Sequence, residues 1–225
     1  MRIFENLDCM EGMDKYKDIL TNRKTLAIVD PPYGINAGKV GKYCTKNKKE
    51  YQPKDWDSKI PDDKYFNFLS KYCDNFIIWG GNYYANKLKN SRGWIFWDKV
   101  KYIDNYADGE LAYTSFDKNI KQITLQHHGF LVSDSETIHP TQKPIKLYKW
   151  LLENYAKDHD LILDTHVGSA SSLIACEEYG IDYIGFELDK DYYKAAKERL
   201  EKARFIRENK KAETCYVNDL ALFQK

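Results

Sequence analysis

Asp30-Pro31-Pro32-Tyr33 brings a carboxylate, two constrained carbonyls and an aromatic ring to the end of a strand-forming run, Thr25-Leu-Ala-Ile-Val29. Two successive prolines lock φ and remove two backbone donors, so the strand must stop and the Asp30 and Pro31 carbonyls are left without ladder partners. Those acceptors, with the Asp30 carboxylate and the face of Tyr33, suit a planar group that donates two N–H bonds, such as the exocyclic amine of a nucleobase. An Asp-Pro pair alone would read as an ordinary strand-ending turn. All four residues in this order, each with a separate chemical use, point to a catalytic and base-stacking corner.

A second group lies in the other half of the chain. Leu161-Ile-Leu-Asp164 ends in a carboxylate, and Thr165, His166, Val167, Gly168, Ser169 and Ala170 form a small-residue loop that opens a helix. Backbone N–H groups at such a helix end can meet a ligand carboxylate. Asp182 to Phe186 is followed by Glu187, which at a strand end can accept both hydroxyls of an unphosphorylated ribose. Each feature has a plain alternative, a tight strand-to-helix connection or a surface acid. Asp164 and Glu187 at two strand ends together point to a nucleoside-bearing cofactor. A lone His after a strand more often fills a pocket, and that reading applies to His166.

Strand-like runs end at Asp30, Trp79, Trp97, Leu163 and Phe186, and helix-like runs cover Asp63 to Cys73, Pro144 to Tyr155, Ser171 to Tyr179 and Asp189 to about Ile206. Strands interleaved with helices predict a doubly wound α/β sheet, with ligands beyond the carboxyl ends of its strands. Leu147, Trp150, Leu151 and Tyr155 share one helix face and are expected in the core, while Asp189 suits the N-cap of the last helix. Lys39 to Lys59 and Asp117 to Glu136 lack periodicity and are expected to be loops. Lys39, Lys42, Lys46, Lys48, Lys49 and Lys54 cluster just beyond Tyr33. They form either a solvated loop or a contact to a phosphate backbone.

The 225 residues, 43% hydrophobic with a formal net charge of +1, describe one ordinary globular domain. No apolar run approaches membrane-span length and no signal pattern opens the chain, so a cytoplasmic address without a membrane partner is expected. Cysteines 9, 44, 73, 176 and 215 are odd in number and scattered, and His127, His128, His139, His159 and His166 form no ligand pattern. Neither a disulfide framework nor a metal site is expected.

The tetrapeptide 30–33, the block His139-Pro-Thr-Gln-Lys-Pro144, the loop after Asp164 and the strand before Glu187 together resemble the β-type, permuted amino-methyltransferases of DNA. Ile77-Ile-Trp-Gly-Gly-Asn-Tyr83 and Gly93-Trp-Ile-Phe-Trp-Asp98 are also similar to segments of the small phage or prophage adenine-N6 enzymes. The resemblance implies a Rossmann-like, mostly parallel methyltransferase sheet with permuted motif order. It implies one domain over 1–225, with a catalytic half over about 1–136, a cofactor half over about 137–210 and recognition loops near 35–60 and 115–137. It further implies methyl transfer from S-adenosylmethionine, released as S-adenosylhomocysteine, to adenine N6 of a base flipped out of double-stranded DNA. The setting would be a bacterial or phage-infected cell, in the manner of restriction-modification systems, and a homodimer is compatible with it.

By that resemblance Asp30, Pro31, Pro32 and Tyr33 are catalytic. Asp8, Asp30, Thr141, Lys143, Asp164, Thr165, His166, Gly168, Ser169, Ala170 and Glu187 hold the cofactor, with Asp8 at the adenine amine and Thr141 and Lys143 near the methionine end. Tyr33 by stacking, Asn82 as a pocket residue, and Lys39, Lys42, Lys46, Lys48 and Lys49 by their clustered charge beside Tyr33 are expected to meet the DNA. The commoner family pattern has Asp-Pro-Phe and then a Gly-Ser-Gly run where this chain has Thr165, His166 and Ala170, which bears on cofactor affinity. Cytosine N4, RNA or a protein amide as acceptor, or a catalytically silent cofactor- or DNA-binding module, are the alternatives that the sequence leaves open.

Overall fold

A computed structural model describes residues 1–39, 53–100, 107–126 and 137–222, with side chains as far as residue 209. Lys42, Lys46, Lys48, Lys49, Cys44, His127 and His128 lie outside the described residues. In chain order the elements are β1 (Arg2–Glu5), α1 (Cys9–Asn22), β2 (Thr25–Val29), α2 (Asp63–Tyr72), β3 (Asn75–Trp79), β4 (Trp94–Asp98), β5 (Gly109–Thr114), β6 (Lys121–Thr124), α3 (Ile145–Tyr155), β7 (Leu161–Asp164), α4 (Ser171–Tyr179), β8 (Asp182–Phe186) and α5 (Lys190–Leu222). Short 3-10 turns cover Ala37–Lys39 and Gly81–Tyr84.

The strands form one sheet in the order β1-β8-β7-β2-β3-β5-β4-β6. β5 runs antiparallel to both of its neighbours and the other pairings are parallel. β2 and β7 are adjacent at the centre; the chain leaves β2 through α2 to β3 on one side, and leaves β7 through α4 to β8 on the other. That divergence opens a crevice at the strands' carboxyl ends, where ligands settle in open α/β sheets.

All five residues of β2 are buried, as expected of a central parallel strand with both faces covered. Leu26 and Ile28 pack with Leu147 and Leu151 of α3 and Leu173 of α4, while Ala27 and Val29 pack on the other face with Met13 and Leu20 of α1 and Leu69 of α2. The alternation follows from the two-residue period of a strand. Each large apolar side chain so enclosed stabilises the fold by about 1.5–3 kcal/mol. Leu147, Leu151 and Tyr155 of the expected α3 stripe are buried, and Trp150 packs against the same cluster.

Two expectations need correction. The Asp117 to Glu136 stretch contains β6, an edge strand whose Lys121, Gln122 and Thr124 are exposed; polar outward residues hide such a strand from periodicity. The last helix continues past Ile206 to Leu222. Its start is capped as expected, with Asp189 Oδ1 accepting from the Asp191 and Tyr192 N–H groups. Its middle is anchored through the buried Glu177 of α4, which pairs with Arg204 at 2.6 Å and Arg207 at 2.9 Å of α5 and with Arg2 of β1 at 2.9 Å. Burial alone would raise the Glu177 carboxyl, but the Arg204 and Tyr183 hydrogen bonds hold it below its ordinary range.

Candidate active site

Asp30 leaves β2 at the crevice, and the following turn is held from outside by a residue that carries no motif. Asp57 is 2% exposed; its Oδ1 accepts from the Tyr33 N–H at 2.6 Å and the Gly34 N–H at 2.9 Å, and its Oδ2 from the Ala37 N–H at 2.8 Å. These donors have no ladder partner because the prolines ended the strand, so one buried carboxylate replaces the missing sheet. The Pro31 carbonyl is not bare, contrary to the expectation for a proline-broken strand. The buried Tyr84 hydroxyl lies 2.7 Å from both the Pro31 and the Pro32 oxygens. A carbonyl has a second lone pair, so Pro31 retains acceptor capacity.

Tyr33 closes the corner. Its hydroxyl donates to Asp30 Oδ1 at 2.6 Å and its ring stacks on Tyr83, with centroids 4.9 Å apart and planes at 14°. One face expected to be open for stacking is therefore covered by another tyrosine. Gly80 has φ 71°, and a Cβ there would stand 2.3 Å from the Tyr33 ring, so this position requires glycine both for conformation and for close approach. Asn82, in the next turn, is exposed and lines the same cavity.

Lys143, expected near a methionine moiety, reaches the proline corner itself. It is 5% exposed, and its Nζ lies 2.5 Å from Asp30 Oδ2, 3.1 Å from Glu110 Oε2 and 3.2 Å from the Tyr33 hydroxyl. Burial would lower its pKa, but the Asp30 and Glu110 carboxylates raise it above the ordinary lysine value. Glu110, on β5, also pairs with Lys99. Burial alone would raise its carboxyl, whereas Lys143 and Lys99 together hold it well below the usual range. Two carboxylates and two ammonium groups thus alternate beside the proline corner. Glu110, Lys99 and Asp57 carry no signal in the sequence, whereas Tyr83 and Tyr84, beside Gly80-Gly81-Asn82, read there as core aromatics without a base contact.

Across the crevice, the loop after β7 is built on two acids. Asp164 is 2% exposed and does not line the cavity; Oδ1 accepts from the His166 N–H at 3.0 Å and Oδ2 from the Ser172 hydroxyl. Burial pushes its carboxyl up to about 7, against those two bonds. Its carboxylate lies beneath the loop, outside the residues that line the cavity. Ala170 is likewise fully buried, with φ 62°, at the N-cap of α4. Thr165, His166, Gly168 and Ser169 do line the cavity. Burial pushes the His166 imidazole down to about 4, so the ring is neutral, and its Nδ1 lies 2.8 Å from the Thr165 hydroxyl.

Glu187 lines the cavity while its Oε2 accepts from the Gly168 N–H at 2.8 Å and its Oε1 from the Asp189 N–H at 2.8 Å. Burial pushes its carboxyl up. Asp8 is the N-cap of α1, with Oδ1 accepting from the Met10 N–H at 2.8 Å, and it also lines the cavity. Thr141 Oγ1 lies 3.1 Å from His139 Nδ1. Of the basic run, Lys39 is exposed and pairs with Asp55 at 3.0 Å. Lys54 turns inward to Asp189 at 2.6 Å and Asp191 at 2.9 Å, so it ties its loop to α5.

The two halves share one cavity of about 1390 Å³, running from Asp8 and Glu187 past the Thr165 to Ser169 loop to Asp30 and Glu110. Ligand pockets are commonly about 300–1,000 Å³, so this one exceeds the space that a single small ligand needs.

M1.HpyAVI, solved as a SAM complex, superposes with a TM-score of 0.57 at 19% identity, over 89% of this chain and 99% of that one. The cytosine-N4-specific PvuII DNA methyltransferase gives 0.51 at 13% identity, over 89% and 90%. These likenesses establish the Rossmann-like methyltransferase fold. In sequence, the chain is 34% identical to the type II methyltransferase M.HindIII of Haemophilus influenzae over 86 residues, covering 36% of this chain and 28% of that one. It is 24% identical to the type II methyltransferase M.HpaI of Haemophilus parainfluenzae over 236 aligned positions, covering 88% of this chain and 74% of that one. Residues 75–198, more than half of the chain, match the N6/N4 methyltransferase model described as DNA methylase. The protein belongs to the N6/N4 DNA methylase family.

Proposed function

We propose that this protein transfers a methyl group from S-adenosylmethionine to the N6 amine of an adenine flipped out of double-stranded DNA, leaving S-adenosylhomocysteine. The single observation that supports this most is that Asp30 opens onto the same cavity as Glu187 and the Thr165 to Ser169 loop, at the point where the strand order diverges. An amine is a poor nucleophile while its lone pair is delocalised into the ring. With one N–H on Asp30 and the other on the second lone pair of the Pro31 carbonyl, the nitrogen becomes pyramidal and its electrons point across the crevice. S-adenosylmethionine, when bound, supplies the electrophilic methyl group.

The residues fit that cofactor. Glu187 retains acceptor capacity for ribose hydroxyls beyond its two backbone bonds, and neutral His166 adds no charge next to a sulfonium. Asp164 acts beneath the loop by holding the His166 N–H. Asp30 does not become a nucleophile: as the N–CH3 bond forms and the S–CH3 bond breaks, the amine's surplus proton leaves along its hydrogen bond at Asp30 to solvent, and positioning supplies most of the rate. A base stacked in duplex DNA cannot reach the corner, so it must be extruded. Stacking on Tyr33, or on Tyr83 in front of it, offsets part of that loss by about 1–3 kcal/mol. Lys39, exposed two residues beyond the cavity-lining Ala37, meets a phosphate on exchange of Asp55.

The test is transfer of a labelled methyl group from S-adenosylmethionine to DNA of mixed sequence, followed by digestion to nucleosides. N6-methyladenine is expected. N4-methylcytosine alone would move the reading to the chemistry named for the PvuII enzyme, whose fold is shared. No labelled nucleoside from any DNA would contradict the proposal.

A further inference from the structure

The proposed function leaves adenine and cytosine to be told apart, and both present an amine next to a ring nitrogen acceptor. They differ at the third place on the Watson–Crick edge, where adenine has a C–H and cytosine a carbonyl oxygen. Beside the proline corner the protein presents its own ordered row. Asp30 is an acceptor, Lys143 Nζ a donor 2.5 Å from it, and Glu110 Oε2 an acceptor 3.1 Å beyond Nζ. All three side chains line the cavity.

Resting on that reading of the site, we propose that Glu110 is a specificity-determining residue that selects adenine by presenting a carboxylate to the third position of the base edge. With the amine on Asp30, Lys143 turns the N–H now 3.2 Å from the Tyr33 hydroxyl toward the ring nitrogen, which both bases accept equally. Glu110 then meets either a C–H, which a carboxylate tolerates, or a carbonyl oxygen, which it repels. An acceptor facing an acceptor in a water-poor site leaves both unsatisfied, and sites with buried polar groups reject such mismatches strongly. Lys143 keeps the carboxylate ionised and in place, and Lys99 adds a second cation on its other side.

The test uses the full chain with S-adenosylmethionine and two duplexes carrying the mapped target sequence, differing only in adenine or cytosine at the acceptor position. Wild type is expected to methylate adenine faster by about tenfold or more. Glu110→Gln, whose amide can donate to a carbonyl, should narrow the ratio by about tenfold, and Glu110→Ala by less. Comparing the two bases within each variant cancels any general loss from disturbing Lys143. Lys99→Met, which leaves the carboxylate in place, should lower both rates without moving the ratio. A wild type that prefers cytosine, or a folded Glu110→Gln protein with an unchanged ratio, overturns the proposal. So does a ratio that Lys99→Met narrows as far as Glu110→Gln. Should wild type methylate neither base, the activity reading fails and the pocket preference is read from adenosine and cytidine binding by calorimetry with S-adenosylhomocysteine present. Tighter adenosine binding that Glu110→Gln equalises supports the role of Glu110, and equal binding by wild type overturns it.

Discussion

Asp57 shows how a single side chain can govern a reactive corner without touching what reacts. It receives the half-buried Tyr33, Gly34 and Ala37 N–H groups, and losing their shared charged acceptor costs about 1 kcal/mol each. Asp57→Ala should therefore destabilise the fold by about 3 kcal/mol in urea denaturation and reduce methyl transfer more than tenfold; full activity in that variant would remove Asp57 from the account. A second consequence concerns Asp164. Its ordinary value of 3.8 is raised to about 7 in the folded chain, so between those values the native state keeps a proton that the unfolded chain has released. Its contribution to stability is full below pH 3.8 and is lost as pH rises through about 7. His139 and His166 act in the opposite sense. Burial, joined at His139 by Lys143, depresses them from 6.5 to about 3 and about 4, so their contribution is lost as pH falls below 6.5. Relative to Asp164→Asn, wild type should lose up to about 1.4 kcal/mol of stability per pH unit between pH 5 and 7. Denaturation midpoints that move in parallel for the two proteins would contradict that assignment.

At the scale of elements, the turn after β3 and the turn after β2 are built against each other. Gly80→Ala should push the Tyr33 ring off its seat, because the added carbon falls 2.3 Å from it at a left-handed φ. A drop in transfer of at least about tenfold is expected, with loss of Tyr33–Tyr83 stacking visible in a crystal structure of the variant. Wild-type turnover would show that the two turns are independent. β2, β3, β4, β7 and β8 are legible because apolar runs end at a proline, a glycine or an acid. β6 is not, since an edge strand is polar outward. α1 escapes for another reason: Asp8, which suggests a ligand contact, is the cap that starts this helix, and both roles use the same short carboxylate. The candidate site divides in the same way. Residues that follow strand ends can be found from the strands, but Asp57, Lys99 and Glu110 are brought to Tyr33 and Lys143 only by tertiary folding, and their local sequence carries no periodic signal.

For the whole molecule, the sheet order places the proline corner and the loop after Asp164 at the ends of adjacent parallel strands, β2 and β7, which face one cavity. The permuted order of motifs along the chain has no effect on this arrangement, because adjacency is set by pairing across the sheet. Helix α5 packs against α4, and Arg204→Ala should loosen it by leaving Glu177 with Arg2 and Arg207, at a cost of about 1.5–3 kcal/mol that thermal denaturation would register. The most direct measurement of the central claim is sequencing of methylated bases in DNA from cells that express either the wild-type chain or Asp30→Ala. N6-methyladenine within one short sequence in the first, and its absence in the second, is the expected result. Equal methylation in both would contradict the role given to the Asp30 carboxylate.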